Sequence, residues 1–406
     1  LRFLEFTKVW KSTKIGEIAD IVGGGTPRTE VEEYWDGEIK WFTPSEIGKT
    51  KYIFDSKRHI TDKGLKNSSA KLLPKDTILL SSRATVGEIS IALTECSTNQ
   101  GFQSLITKNN VDNDFIYYLI STIKNEFLRR SSGSTFLEIS KNEIKRIPIN
   151  IPELSEQNKI SNLFSAIDNK IEMLEKKHQY YQDFKKYLMQ RIFSSQDDKL
   201  RFDNSSKIQK EIQLSDVISI INKRNKNDEN IPVLSISNKF GFISQTEQFE
   251  DREVASSDKK NYKIVNKGEF AYNPARINVG SIAQLKNYEK GIISPMYIVF
   301  KVDSNVLNQT YFENFLDSDY FRYEMMKRLE GSVRMILSAD SLKNIKITIP
   351  SIDEQEKLSK VFLAFDKKIK ITKYQLDKTQ EFKKGLLQQM FVVQLILSLL
   401  QNKKHI

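Results

Sequence analysis

From Ile151 to Ile171 the chain reads IPELSEQNKISNLFSAIDNKI, and 198 positions later, from Ile349 to Ile369, it reads IPSIDEQEKLSKVFLAFDKKI. The correspondence extends well past this segment. LRF at Leu1–Phe3 returns at Leu200–Phe202, and IGEIADI from Ile15 matches LSDVISI from Leu214 with apolar and polar positions in step. SGSTFLEISKNEIKRIPI from Ser132 matches EGSVRMILSADSLKNIKI from Glu330, and QDFKKYLMQRIF from Gln182 matches QEFKKGLLQQMF from Gln380. The chain is a tandem duplication, and a repeat of this length constrains architecture before any local propensity does. Its 406 residues leave room for two domains with cores of their own.

Each half divides again. The first part is irregular: β-rich runs (DTILLSS, EISIAL, GFQSLIT, MYIVFKV) are broken by Gly, Pro, Asn and Ser. Helical stretches DNDFIYYLISTIKNEFLRR and QTYFENFLDSDYFRYEMMKRL lie among them. The second part is helical. Ile160, Phe164, Ile167, Ile171, Leu174, His178, Tyr181, Lys185, Leu188 and Ile192 recur at alternating gaps of four and three, the seam of a coiled coil. Leu358, Phe362, Phe365, Ile369, Thr372, Leu376, Thr379, Lys383, Leu386 and Met390 repeat it. Lysine is unusual at a seam, so Phe184 and Phe382 are expected to take over the packing beside Lys185 and Lys383 at a local stutter. Asp353 and Glu356, just after Pro350, are expected to form a capping box. The first helix leads from one globular domain to the next and the second leaves the second domain. Facing seams therefore require antiparallel helices and a pseudo-twofold relation between the halves. The expected fold is α+β: two α/β domains (1–150 and 200–348) joined by two long antiparallel coiled-coil helices (151–196 and 349–400).

Sixty-three Lys and Arg against 52 Asp and Glu give a net charge of +11, which suits a polyanionic partner. One cysteine and three histidines exclude an internal disulfide and a usual His/Cys zinc site. The opening LRFLEF shows no leader pattern, and the apolar run FVVQLILSLL from Phe391 is about half the ~20 residues a membrane span needs. A cytoplasmic protein is expected.

No motif carries chemistry. VGGGTPRTE from Val22 lacks the Gly-Lys-Ser/Thr ending of a phosphate-cradling loop and reads as a flexible turn. NPAR from Asn273 has neither the second Pro nor the aromatic of the Asn-Pro-Pro-aromatic signature of adenine methyltransferases, so it offers no platform for a flipped base. DEQEK from Asp353 sits at a helix start, where acids favour the helix dipole, and its twin SEQNK has one acid fewer.

WFTPSEIG (Trp41–Gly48), DTILLSSRATVGEISIA (Asp76–Ala92), TNQGFQSLI (Thr98–Ile106), FAYNPARINVGSIA (Phe270–Ala283) and ISPMYIVF (Ile293–Phe300), with the paired IPELSEQNKI and IPSIDEQEKL, carry a resemblance across essentially the whole chain. The chain resembles the specificity subunit of type I restriction–modification enzymes. One departure is Ala84, where the family's loop often has Gly; another is the long apolar C-terminal tail. The resemblance implies two target-recognition domains, each reading one half of a bipartite site in double-stranded DNA, and helices that hold two modification (methyltransferase) subunits, with restriction subunits as further members. It also implies that no cofactor binds this chain: S-adenosylmethionine, and ATP with magnesium where restriction accompanies modification, belong to the partners. A self-contained DNA-modifying or DNA-cleaving enzyme and a coiled-coil scaffold binding only proteins are the alternatives. The first needs a site the sequence lacks, and the second leaves the basic charge unexplained.

Arg83 and Arg276 each stand a few residues before a glycine (RATVG, RINVG) at matching points of the two halves. Arginine suits guanine O6 and N7, while Asn and Gln suit adenine. An arginine that buttresses its loop or touches phosphate is the competing reading. Thr43, Ser45, Thr85, Asn99 and Gln100 in the first half, and Asn273, Asn278, Ser294 and Tyr297 in the second, line the segments that match the family and join the candidate DNA-binding set. Ser134 and Ser332, in the matching loops GST and GSV, complete it.

Overall fold

The computed structural model describes residues 1–133, 137–194, 210–238, 240–245, 259–331 and 335–392. Its contacts group into two units, Leu1–Leu174 with Tyr374–Ile406, and Glu175–Lys373.

In the first unit the chain passes through β1 (Lys11–Lys14), α1 (Ile15–Ile18), β2 (Ala19–Gly23), β3 (Trp35–Phe42), β4 (Tyr52–Ile53), β5 (Arg58–Ile60), α2 (Asp62–Lys66), β6 (Ile78–Leu80), β7 (Ile89–Ala92), β8 (Cys96–Thr98), β9 (Gln103–Thr107), α3 (Asn113–Thr122), α4 (Lys124–Arg129), α5 (Lys141–Arg146) and β10 (Pro148–Ile151). It then enters α6 (Leu154–Phe193). One sheet has the order β2-β9-β6-β7-β4, a second β5-β3-β8, and β1 pairs with β10 as a ribbon. The run DTILLSS supplies the central strand: Ile78, Leu79 and Leu80 are fully buried, which is why it reads as continuously apolar instead of alternating. Asp112 caps α3 by accepting from the Phe115 N–H at 2.6 Å.

The second unit repeats this plan. Its elements are β11 (Lys210–Gln213), β12 (Ile218–Ile221), β13 (Leu234–Ser237), β14 (Gly241–Ser244), β15 (Lys263–Asn266), β16 (Phe270–Tyr272), β17 (Ile282–Gln284), β18 (Lys290–Ile293), β19 (Ile298–Val302), α7 (Gln309–Leu316), α8 (Asp319–Met326), α9 (Ala339–Lys343), β20 (Lys346–Ile349) and α10 (Ile352–Leu387). The sheet β12-β19-β16-β17 has the order of β2-β9-β6-β7, and the ribbon β11–β20 matches β1–β10. The two long helical stretches in the globular parts are each broken in two. In QTYFENFLDSDYFRYEMMKRL the break comes at Ser318, whose hydroxyl takes the Phe321 N–H at 3.1 Å and starts α8 afresh.

The heptad positions form the buried face of the helices. In the first unit Ile160, Phe164, Leu386 and Met390 are buried in the main core. There the Phe164 and Phe391 rings stack at 5.9 Å, and Trp10 and Phe115 close around them. In the second, Leu188, Ile192, Leu358 and Phe362 join the core, with Phe193 stacked on Phe362 at 6.3 Å. Within each unit the paired helix halves run antiparallel. As α6 residues rise from 164 to 168, their partners fall from 391 to 383, and Tyr181 and Lys185 meet Phe365 and Asp366 while His178 meets Thr372.

Two expectations are corrected. The cap of α10 is Ser351, whose hydroxyl takes the Glu354 N–H at 3.4 Å; Asp353 lies inside the first turn, because the helix begins at Ile352. The seam lysines are not displaced at a stutter. Lys185 and Lys383 stay in the seam, each paired with an aspartate of the other helix. Phe184 does pack, 5.2 Å from Phe365, but Phe382 is 60% exposed.

The buried pair Glu156-Gln157 and its repeat Glu354-Gln355 give the opening segment its structural meaning. The Gln157 amide accepts from Asp112 N–H at 3.0 Å and donates to Pro152 O at 2.9 Å. Gln355 accepts from Asn308 N–H at 2.9 Å and donates to Pro350 O at 3.0 Å. Each glutamine thus ties the start of a long helix to the cap residue of α3 or α7. Glu156 receives both the Arg2 guanidinium at 2.7 Å and the Trp10 indole at 3.2 Å. Arg201, the repeat of Arg2, lies outside the described residues. Among the described residues no helix is long and apolar enough to cross a membrane; most of FVVQLILSLL lies outside them.

Candidate nucleic-acid interface

Three loops of the first unit converge: the turn after β3, the loop from β6 to β7, and the turn from β8 to β9. Thr43, Pro44, Ser45, Arg83, Ala84, Thr85, Asn99, Gln100 and Gly101 line a shallow concavity of about 520 Å³. All six candidates of the first half on described residues thus meet in one place, from positions up to 57 residues apart in sequence. Strand pairing brings them together: β6 lies between β7 and β9, and β3 pairs in parallel with β8, where the Asn99 N–H donates to Phe42 O at 3.0 Å.

Each side chain is held differently. The Thr43 N–H and hydroxyl both donate to the Glu46 carboxylate, at 2.8 and 2.7 Å, and Ser45 Oγ lies 3.1 Å from Thr43 Oγ1. Asn99 Oδ1 accepts from the Gly101 N–H at 2.9 Å, fixing the turn. Gln100 accepts from the Thr26 hydroxyl. Arg83 is half exposed, its Nε 3.8 Å from Glu138 Oε2, and the two backbones form an antiparallel bridge. Ala84 has φ +64°, the left-handed region in which glycine is at ease and a Cβ is strained. The departure from the family's usual glycine therefore falls on a position whose backbone suits glycine. Glu88 braces the far end of the loop through an ion pair with Lys124.

In the second unit the same loop is one residue longer. β6 and β16 occupy the same place, with Ile78 opposite Leu105 and Phe270 opposite Phe300. The loops that follow span Ser81–Glu88 and Asn273–Ser281. Ile139 N–H donates to Ser82 O at 3.0 Å and Leu337 N–H to Pro274 O at 3.1 Å, so Arg83 is matched by Ala275, and Arg276 sits one residue further on. Both arginines stand at the same distance before their glycines, Gly87 and Gly280, so the sequence spacing alone hides this offset. Arg276 and Asn278 are exposed. Among the described residues the Arg276 side chain has no partner. Asn278 lines a cavity of about 460 Å³ with Asn238, Asp317 and Arg322.

Asn273 is 8% exposed, with Oδ1 accepting from Ala275 N–H at 3.1 Å and Nδ2 3.7 Å from Met296 Sδ. It builds the loop instead of facing outward. Tyr297 is half-buried against a satellite core, and its carbonyl accepts from Lys263 Nζ at 2.7 Å. Ser294 is half-buried, and its carbonyl accepts from the Tyr297 N–H at 3.1 Å. Of the five, only Arg276 and Asn278 stand clear of the surface. Ser134 and Ser332 lie outside the described residues. The loops that hold them are closed alike, by reciprocal backbone bonds of 2.9 Å between Ser132 and Glu138, and of 3.0 and 2.9 Å between Glu330 and Ile336.

Sequence reasoning missed Thr26, Asn238 and Arg322. For Asn238 a signal existed: SISNKFGF places Asn and Gly between two apolar runs, a hairpin pattern, and β13 and β14 do pair with Gly241 at φ +66°.

A family model described as "Type I restriction modification DNA specificity domain" matches the chain twice, at residues 7–180 and 208–380. The MjaIX type I restriction enzyme specificity subunit of Methanocaldococcus jannaschii is 40% identical over 176 residues, 42% of this chain and 41% of that protein. The chain thus matches less than half of that relative's length. The MjaVIII specificity subunit of the same organism is 24% identical over 404 residues, covering 93% of this chain and 91% of the relative. In fold, the chain is similar to the type I restriction–modification S subunit from M. genitalium, with a TM-score of 0.58, 18% identity, and coverage of 96% and 98%.

Proposed function

We propose, from the premise that this chain belongs to the family of type I restriction–modification DNA specificity domains, that it is the subunit that reads DNA sequence in such a complex. Each unit reads one half of a bipartite site in double-stranded DNA. The observation that carries this reading is the convergence of Thr43, Ser45, Arg83, Thr85, Asn99 and Gln100 in one concavity. Three loops there offer a guanidinium, two amides and three hydroxyls, the donor and acceptor types that recognise base edges. The net charge of +11 supplies sequence-independent attraction to phosphate.

The chain itself carries out no reaction on this reading. The long helices receive two adenine methyltransferase subunits, with restriction subunits joining where cleavage accompanies modification. S-adenosylmethionine, and ATP with magnesium, belong to those partners, and the complex works in the cytoplasm.

Mapping methylated adenines in cells that carry this gene with and without its partner genes tests the reading. The expected result is modification at one bipartite motif that appears only when chain and partner are both present. Methyl transfer by the purified chain alone would overturn it.

A further inference from the structure

The segment VGGGTPRTE is not a free turn. Gly25 N–H donates to Thr98 O at 2.8 Å, and the buried Trp41 indole donates to Gly25 O at 2.9 Å. A Cβ on Gly24 would stand 2.0 Å from Asn99 O, and one on Gly25 would stand 2.2 Å from Ser69 Oγ. The glycines therefore allow this strand end to press against the turn that carries Asn99 and Gln100. Pro27 is buried and restricts the preceding residue to extended backbone. Together these contacts fix Thr26, whose hydroxyl donates to Gln100 Oε1. Gln100 lies in the wall of the concavity with Arg83 and Asn99.

A glutamine amide is nearly symmetric in shape but not in chemistry: one end accepts and the other donates twice. An isolated exposed glutamine turns either end to a partner, and so tells acceptor-bearing from donor-bearing base edges poorly. The Thr26 hydroxyl, which here donates to the amide oxygen, biases that choice toward the orientation that leaves the NH₂ group for the concavity. We infer that Thr26 is a positioning residue for sequence reading: it orients the Gln100 amide so that this unit selects, at one base position, a keto oxygen (guanine O6 or thymine O4) over an exocyclic amino group (adenine N6 or cytosine N4). This inference rests on the DNA-reading function proposed above and assigns one determinant of its specificity.

The test is selection of bound sequences from a randomised duplex library by the full chain, comparing wild type with Thr26→Val, Thr26→Ser and Gln100→Glu. Wild type should discriminate about tenfold at the base pair facing Gln100. Thr26→Val, close to isosteric but without a donor, should cut this to about twofold while other positions keep their preferences, and Thr26→Ser should restore it. Gln100→Glu presents only acceptors, so its preferred base should change to one with an exocyclic amino group, adenine or cytosine. If Thr26→Val fails to fold, Thr26→Ala removes the same donor, and Gln100→Glu shows independently whether Gln100 reads that base position. A wild-type chain without any preference refutes the DNA-reading function itself. A selective wild type whose base profile is unchanged by Thr26→Val refutes the role of Thr26. Equal weakening at all positions by Thr26→Val refutes it too, by assigning the hydroxyl to the fold of the loop.

Discussion

Lys383 Nζ lies 2.5 Å from Asp168 Oδ1, in the seam where the end of one long helix meets the start of the other. Asp168 also accepts the Tyr118 hydroxyl at 2.6 Å. Behind it Lys51 contacts Ser165 at 2.9 Å and Asp114 at 3.2 Å, and burial pulls its ammonium below the usual lysine range against the pull of these carboxylates. The second unit contains the same pair with the chain positions exchanged, Lys185 Nζ 2.7 Å from Asp366 Oδ1. Asp168 meets Lys383 in the first unit, and their repeats, Asp366 and Lys185, meet in the second.

Removing Asp168 leaves Lys383 and Lys51 without its charge and takes from the Tyr118 hydroxyl its shortest partner, leaving Lys51 at 3.1 Å and Ser165 at 3.4 Å. Asp168→Ala is expected to cost about 2 kcal/mol. The coupling to Lys383 alone should be smaller, about 0.5–1 kcal/mol, since both side chains are about a quarter exposed. A double-mutant cycle measured by urea unfolding separates the two. Trp10, Trp35 and Trp41 all lie in the first unit, so tryptophan fluorescence reports on it directly.

Gln157 and Gln355 are expected to be sensitive to apolar substitution despite their polar character. Gln157→Leu leaves Asp112 N–H and Pro152 O without the amide that serves both. The expected loss is about 2–4 kcal/mol, because a buried group left unpaired costs about 1–3 kcal/mol. Tryptophan-monitored unfolding should detect the Gln157 change strongly. The Gln355 change, in the second unit, should appear in circular dichroism instead.

Arg83→Ala and Arg276→Ala should each relax base preference in one half-site only, by about 1–3 kcal/mol if the arginine grips guanine. Their one-residue offset predicts that the two do not read equivalent positions within their half-sites. Competition binding with single base-pair substitutions locates each. Equal weakening on all duplexes would reassign the residue to phosphate.

Cys96 is fully buried, and burial pushes its thiol from an ordinary value near 9 up to about 12. Between those values the unfolded chain releases a proton that the folded chain keeps, so this group makes stability fall as pH rises. Alkylation by iodoacetamide at pH 8 should be negligible in the folded protein and should track unfolding when urea is added.

The duplication, the α+β plan and the faces of the long helices were legible in the sequence, because they rest on repetition and periodicity, which are local along the chain. Ile160, Phe164 and Leu188 declare a buried stripe wherever the helix is placed. The first-half candidates were also within reach, since three quotable segments contained them. What brings those segments together is the order β2-β9-β6-β7 and the parallel pairing of β3 with β8, a set of non-local pairings that no window of sequence contains. The same pairings decided what the sequence could not: that Asn273 turns inward while Arg276 stands clear, that the second loop carries one more residue, and that Thr26 reaches Gln100 across 74 positions. Spacing along a chain fixes which face of an element a side chain occupies; which side chains then share that face's surroundings depends on strand pairing and on close backbone approach, and these exist only once the chain has folded.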